Sequence, residues 1–325
     1  MINQSTFHTA GINKTTKVVT ITLNPALDLT GHLPCINNGG VSLVDKGSLH
    51  AAGKGVNVAK VLAELGADVT VTGFLGTDNQ ELFCQLFEQL GATDKFIRVS
   101  GSTRINVKLV EHSGSVSDIN FPGVEVTQNA LVEFEKTLLS LADAHDYFVL
   151  AGSLPPGVSA ELCASWIKKL RSLNKKVIFD SSRTALMVGV DAQPWLIKPN
   201  EEELSQLMEI PKTDASACKQ AAEELAHKVE NIVVSMGADG VMWLNQGQWL
   251  QAKPPKMEVV STVGAGDTLV AGLCWGHMQE MNKTDLLQFA TALSALAVTQ
   301  VGVGIASLEQ LHTLQKQTQI DIISQ

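Results

Sequence analysis

Apolar positions recur along this chain with two periods that take turns. Residues 17–23 (KVVTITL) form a β-branched run suited to a buried strand, ended by Asn24-Pro25. Residues 55–66 then place Val58, Val61, Leu62 and Leu65 at helical spacing, with Gly66 as the candidate cap. The strand pattern returns at 69–74 and the helical period at 80–90. From about 95 to 122 the alternation stops. Segments 96–100, 104–111 and 116–121 read as short strands joined by SGST and HSGS turns, with no helix between them. This predicts a small antiparallel sheet inserted in an α/β chain, with 29–50 as a further contributor.

After residue 127 the alternation resumes. Helical patterns over 128–142, 159–173, from 200, and over 215–229 are interleaved with strands at 146–151, 176–180, 195–198 and 231–235. Strand patterns at 240–244, 248–252 and 257–262 precede helices over 266–280, 284–300 and 307–318. Repeated β-α-β-α order predicts a mostly parallel sheet with helices on both faces. Ligands of such sheets bind beyond the carboxyl ends of the strands, so the loops there are the place to look for chemistry. Residues 1–16 are polar and aperiodic and read as a flexible extension, and 17–325 as one α/β unit carrying the small sheet.

Charge narrows the function. The 24 basic and 33 acidic side chains leave a net charge of −9, so nothing global attracts nucleic acid. An anionic ligand would need local donors. The cysteine count of 5 is odd and no C-x-x-C occurs, which fits free thiols in a reducing cytoplasm. No H-E-x-x-H suggests a zinc site, and the first residues lack the apolar core of a signal peptide. Residues 286–308 carry no charge, a length that could cross a bilayer. Their Gln288, Thr291 and Ser294, with Gly302 and Gly304, favour a buried helix that breaks at the glycines.

The most informative stretch is Val259-Val-Ser-Thr-Val-Gly264-Ala265-Gly266-Asp267-Thr-Leu-Val-Ala-Gly272, a strand pattern running through glycines into a helix. Small residues let backbone N–H groups approach a ligand, and a helix N-terminus adds free donors and positive partial charge. Together they suit a phosphate. Asp267 beside that anion could take a proton from an attacking hydroxyl while the N–H groups hold the transferring group. An Asp there is also an ordinary helix cap. Leu269 stands where a dinucleotide fingerprint needs a third glycine, and Gly55 follows Gly53-Lys54 where a P-loop needs Ser or Thr.

Gly264-Ala-Gly-Asp267-Thr resembles the C-terminal signature of the ribokinase-like (PfkB) sugar kinases, and Ala51-Ala-Gly-Lys-Gly-Val-Asn57-Val-Ala-Lys-Val-Leu-Ala-Glu-Leu-Gly66 resembles their N-terminal one. The two lie in the family's order, and the likeness covers about 17–310. The family fold would be a mostly parallel α/β sheet with a small β-sheet lid, built here from about 29–50 and 95–122. Segments 22–28, 50–55, 103–108, 152–157 and 198–203 are most similar to the bacterial branch that uses fructose 1-phosphate. That likeness implies ATP-dependent phosphorylation of the sugar's 6-hydroxyl in fructose catabolism. Tagatose 6-phosphate and fructose 6-phosphate are the acceptors of close relatives, and a non-catalytic sugar-phosphate sensor is the alternative of a different class.

By the same resemblance Asp267 is the general base, with Gly264, Ala265 and Gly266 as the anion hole. The helix terminus is expected to depress the Asp267 pKa. Asp28, Gly53, Lys54, Asn57, Arg104 and Ser153 would bind the sugar phosphate, Arg104 gripping its phosphate, with Lys108 a weaker second. The plainer alternatives are a turn-capping Asp28 and surface cations at Lys54 and Arg104. Asn200 and Glu203 would help place Mg²⁺, mostly through water, although Asn followed by Glu three residues on is also a helix-start signature. Ser235, Met236, Gly237, Ala238, Asp239 and Gly240 would bind ATP with Gly266 and Asp267, on what otherwise reads as a hairpin turn. Residues 290–306 would close over the adenine. Asp180, Ser181 and Arg183 follow a strand and receive no role. The family also allows for a monovalent cation. The expected partners are small molecules only, with no nucleic acid and no membrane, in a cytoplasmic homodimer formed through the lid.

Overall fold

In the computed structural model the described residues are 16–210 and 215–323. The expected extension over 1–16 lies, but for Thr16, outside them. The chain enters through β1 (Lys17–Thr22), leaves for β2 (Ala26–Leu33) and β3 (Lys46–Ala52), and returns through α1 (Lys54–Glu64) to β4 (Asp68–Gly76). Next come α2 (Glu81–Leu90), β5 (Thr93–Asp94), β6 (Ile97–Val99), β7 (Arg104–Glu111) and β8 (Val116–Ile119). Strands and helices then alternate: α3 (Gln128–Leu141), β9 (Tyr147–Ala151), α4 (Ala160–Ser172), β10 (Lys176–Asp180), α5 (Arg183–Val190), β11 (Leu196–Ile197), α6 (Glu201–Leu207), α7 (Ala215–Leu225) and β12 (Asn231–Ser235). The chain closes with β13 (Val241–Asn245), β14 (Gln248–Lys253), α8 (Ala265–Met278), α9 (Lys283–Ala297), α10 (Leu308–Gln317) and β15 (Gln319–Ile323).

The central sheet runs β15-β14-β13-β12-β11-β10-β9-β1-β4-β5, with β6 also on β4. It is parallel from β12 to β5 and antiparallel from β12 to β15. Successive strand residues point to opposite faces. Val18 and Val149 accordingly join the core under α1, α2, α8, α9 and α10. Val19 and Phe148 join the core under α3, α4, α5, α6 and α7. Burial on both faces is why the central strands are continuous apolar runs.

The small sheet runs β3-β2-β7-β8. Three expectations need correction. Segment 96–100 is not part of this sheet, because its strand pairs with β4 of the central one. The small sheet is not wholly antiparallel, since its middle pair, β2 and β7, is parallel. No strand forms at 257–262, where Val260 and Ser261 N–H groups bond instead to Val298 O, at 2.8 and 3.2 Å. The added elements α5 and β15 carried too short or too mixed a pattern to read.

The two faces of the small sheet differ. Cross-strand register lines up Leu49, Leu29, Val107 and Ile119 on one face and His50, Asp28, Asn106 on the other. Leu29, Leu49 and Ile119 are exposed. The uncharged stretch 286–308 falls largely on α9, whose side chains are mostly buried and which ends at Ala297, before Gly302 and Gly304. Among the described residues no helix is long and apolar enough to cross a membrane.

Candidate active site

The two glycine segments meet at the carboxyl ends of the parallel strands. Gly53 is the N-cap of α1, at φ 132°. A side chain there would begin 2.9 Å from Thr22 Cγ2 and 3.2 Å from Pro25 Cα, so only glycine fits. Gly264 is the N-cap of α8, left-handed at φ 82°, and a Cβ there would lie 2.3 Å from Val303 Cγ2. Neither cap residue has a side chain to occupy the first-turn N–H groups. The first intrahelical bond of α8 is Thr268 N–H to Gly264 O at 2.8 Å, so Gly266 and Asp267 precede it and present donors to a ligand.

Asp267 is the third residue of α8 and not its cap. Its carboxylate turns to α1 and accepts a hydrogen bond from Asn57 Nδ2 at 2.7 Å. The carboxyl is buried, and its pKa is raised to about 6, first by burial and then by the Asp180 carboxylate, against the opposing pull of Asn57, Lys54 and Lys198. The expected depression is therefore overturned: burial and the Asp180 charge outweigh the groups that stabilise the carboxylate. A carboxylate near 6 is a better proton acceptor than an ordinary Asp.

Asp180, at the end of β10, is 1% exposed and holds both lysines: Lys54 Nζ is 3.3 Å from its Oδ1 and Lys198 Nζ 3.6 Å. Its Oδ2 is buried with no hydrogen-bond partner. Burial works against the Lys54 charge, but Asp180, Asp267 and Glu203 together hold its pKa above the usual value. Lys198 was not among the expected site residues. It is 5% exposed, and its Nζ lies 3.5 Å from where a side chain at Gly266 would begin. Gly266 thus leaves room for an ammonium over the helix N-terminus. The sequence signal was a lysine ending an apolar run, WLIKPN, where a solvated lysine has no place.

The small sheet contributes the opposite wall. Asp28 on β2 accepts from Asn106 Nδ2 at 3.2 Å, and burial raises its pKa against Asn106, Lys108 and Arg104. Arg104 opens β7 and donates to the carbonyls of Asn24 (3.0 Å), Phe121 (3.0 Å) and Pro25 (3.3 Å) and to Ser153 Oγ (3.4 Å). Burial lowers its pKa against the Asp28 charge. Asn24 Nδ2 also donates to Ser153 Oγ, at 3.2 Å. Arg104 therefore ties the small sheet to the loop after β9 and keeps few donors free. Lys108 is paired with Asp118.

Asn200 and Glu203 form a complete capping box on α6: Glu203 N–H donates to Asn200 Oδ1 at 2.8 Å, and Asn200 N–H to Glu203 Oε2 at 3.0 Å. Among the described residues no three His, Cys, Asp or Glu side chains cluster to hold a metal ion. The capping box engages one carboxylate oxygen of Glu203, whose charge reaches Lys54. Residues 235–240 form the turn between β12 and β13, beside Asn200 through an Asn200–Ser235 bridge. Met236 is buried, and Gly237, Ala238 and Asp239 make one tight helical turn. Val260, Val263 and Val301 leave apolar surface exposed around the glycine loop.

The chain matches the model of the pfkB family carbohydrate kinases over residues 18–311. It is 71% identical over 310 residues to a 1-phosphofructokinase of Vibrio cholerae, covering 95% of this chain and 98% of that one. It is 49% identical over 300 residues to a 1-phosphofructokinase of Escherichia coli, covering 92% and 96%. The crystal structure of phosphofructokinase-2 from Escherichia coli in complex with potassium superposes with a TM-score of 0.86 at 27% identity, over 93% and 98% of the two chains. The chain belongs to the pfkB family of carbohydrate kinases.

Burial of Asp267 beside Asp180 should be visible in the pH profile. With the Asp267 carboxyl near about 6, kcat/KM should fall about tenfold per unit below that pH. Asp180→Asn removes the like charge and frees both lysines, so its acidic limb should move to lower pH. An acidic limb that stays in place in Asp180→Asn would contradict this electrostatic account.

Proposed function

We propose that this chain transfers the γ-phosphoryl group of ATP to the 6-hydroxyl of fructose 1-phosphate, giving fructose 1,6-bisphosphate and ADP. The observation that carries the chemistry is the contact of Asn57 with Asp267, which joins the sugar-side and phosphate-side glycine segments around one buried carboxylate. The acceptor follows from the relatives named 1-phosphofructokinase, at 71% and 49% identity.

The acceptor hydroxyl lies against Asp267, which takes its proton as the oxygen attacks the γ-phosphorus and the bond to the ADP oxygen breaks. N–H groups of Gly266 and Asp267, with Lys54 and Lys198, balance the charge on the transferring group, while the Ala265 N–H is bonded to Thr262 O at 3.3 Å. Asp28, Gly53 and Asn57 hold sugar hydroxyls, and Arg104 and Ser153 the sugar's own phosphate. Residues 235–240 flank the nucleotide. Mg²⁺ placed through water by Asn200 and Glu203 would neutralise phosphate charge, and a monovalent cation stays part of the proposal. The small sheet acts as a lid that excludes water from the reaction. Its apolar outer face, with Leu29, Leu49 and Ile119 exposed, is the surface a second copy would cover, so the working form is a homodimer. The reaction is assigned to the cytoplasm, where ATP is available.

ADP release with Mg²⁺ and ATP, compared across fructose 1-phosphate, fructose 6-phosphate and tagatose 6-phosphate, should give the highest kcat/KM for fructose 1-phosphate. Preference for another sugar moves the specificity, and no turnover with any of them removes the kinase assignment. In the same assay Arg104→Ala should raise the KM for the sugar phosphate far more than that for ATP. Equal effects on both would show that its bonds to Asn24, Pro25 and Phe121 are all it provides. Sedimentation at micromolar concentration should show a dimer, and a monomer alone would refute the lid interface.

A further inference from the structure

The segment 299–306 joins α9 to α10 and backs the glycine loop. Val303 packs where any side chain on Gly264 would stand. Immediately before it, Val298 O accepts from Val260 and Ser261 N–H, and Ser294 Oγ donates to Ala265 O at 2.9 Å. Within it Val303 and Ile305 are half-buried against the core, while Val301 is 81% exposed. Polar anchors hold it as well. One is internal, Gln300 Nε2 to Gly304 O at 2.6 Å. Another is Glu64, the last residue of α1, whose Oε2 accepts from Ile305 N–H at 2.6 Å. Gly304, at φ 142°, brings its backbone so close that a Cβ would lie 3.0 and 3.1 Å from the two Glu64 oxygens. The backbone therefore lies close against the carboxylate.

From this contact we infer that Glu64 is a positioning residue for the nucleotide side of the site. Its carboxylate anchors Ile305, the anchored segment seats Val303 against Gly264, and Gly264 sets the entry of α8, where the phosphate donors lie. The same helix thus presents Asn57 to Asp267 at one end and braces the phosphate loop at the other. Glu64 touches no reacting atom, and its effect should be selective. It rests on the assignment of the glycine loop to ATP.

The test is calorimetric binding of MgATP and, separately, of fructose 1-phosphate to the full chain as wild type, Glu64→Ala and Glu64→Gln. Loss of a charge-assisted bond should weaken ATP binding by about tenfold in Glu64→Ala and leave the sugar phosphate within about twofold of wild type. Glu64→Gln retains an acceptor oxygen for Ile305 N–H and should return ATP binding to within about twofold of wild type. Unchanged ATP binding in Glu64→Ala overturns the inference, and so does equal weakening of both ligands, which marks a merely structural residue. Failure of Gln to rescue overturns the hydrogen bond as its cause. A wild type that binds no ATP overturns both the kinase assignment and this inference, whereas the other negative results leave the assignment standing.

Discussion

The hydrogen bond from Asn57 to Asp267 spans 210 positions of the chain and fixes how its two halves meet. It requires that α1 and α8 both begin at the same end of the sheet, with their first turns facing each other. Glycine at both helix starts makes this approach sterically feasible. Gly53 clears Thr22 and Pro25, and Gly264 clears Val303. The parallel strands supply the rest, because their carboxyl ends deliver Asn24, Ser153, Asp180, Lys198 and Asn200 to that edge.

Around this bond the protein buries charge, which generally costs stability. Two carboxylates, Asp180 and Asp267, share the site with two lysines, Lys54 and Lys198. The balance is unequal. Asp180 takes both ammonium groups and Asp267 is left with an amide partner. A structural ion pair would have no use for that asymmetry. The proposed proton transfer does, because burial and Asp180 raise the Asp267 pKa to about 6 while Asp180 helps keep Lys54 charged. The small sheet carries Asp28 and Asn106 on its polar face and the exposed Leu29, Leu49 and Ile119 on its apolar one.

Much of this was legible in the sequence, for a physical reason. Residues 18–21 and 148–150 read as strands because burial on two faces forces continuous apolar runs. The glycine segments stood out because close approach to phosphate excludes side chains. Partner choice was less legible. The pattern over 96–100 marks a strand but does not say that β4, not the small sheet, will pair with it. Nor does it say that β2 and β7 run parallel. Val259 and Val260 look like strand residues, yet they lead into the glycine loop and stay exposed. The Asp267 pKa went the other way from its local helix geometry, because burial and Asp180 arrive from distant parts of the chain. Lys198 was overlooked in a segment singled out for Asn200 and Glu203, although its apolar neighbours already implied a buried ammonium.

The central claim is that Asp267 accepts the proton of the attacking hydroxyl. Single-turnover phosphoryl transfer by Asp267→Asn, with ATP and fructose 1-phosphate both saturating, tests it most directly. Asn keeps the shape of the side chain and can still meet Asn57, but it cannot take the proton. The account requires the rate to fall by at least about 10²-fold with both ligands still bound. Transfer at close to the wild-type rate would contradict it.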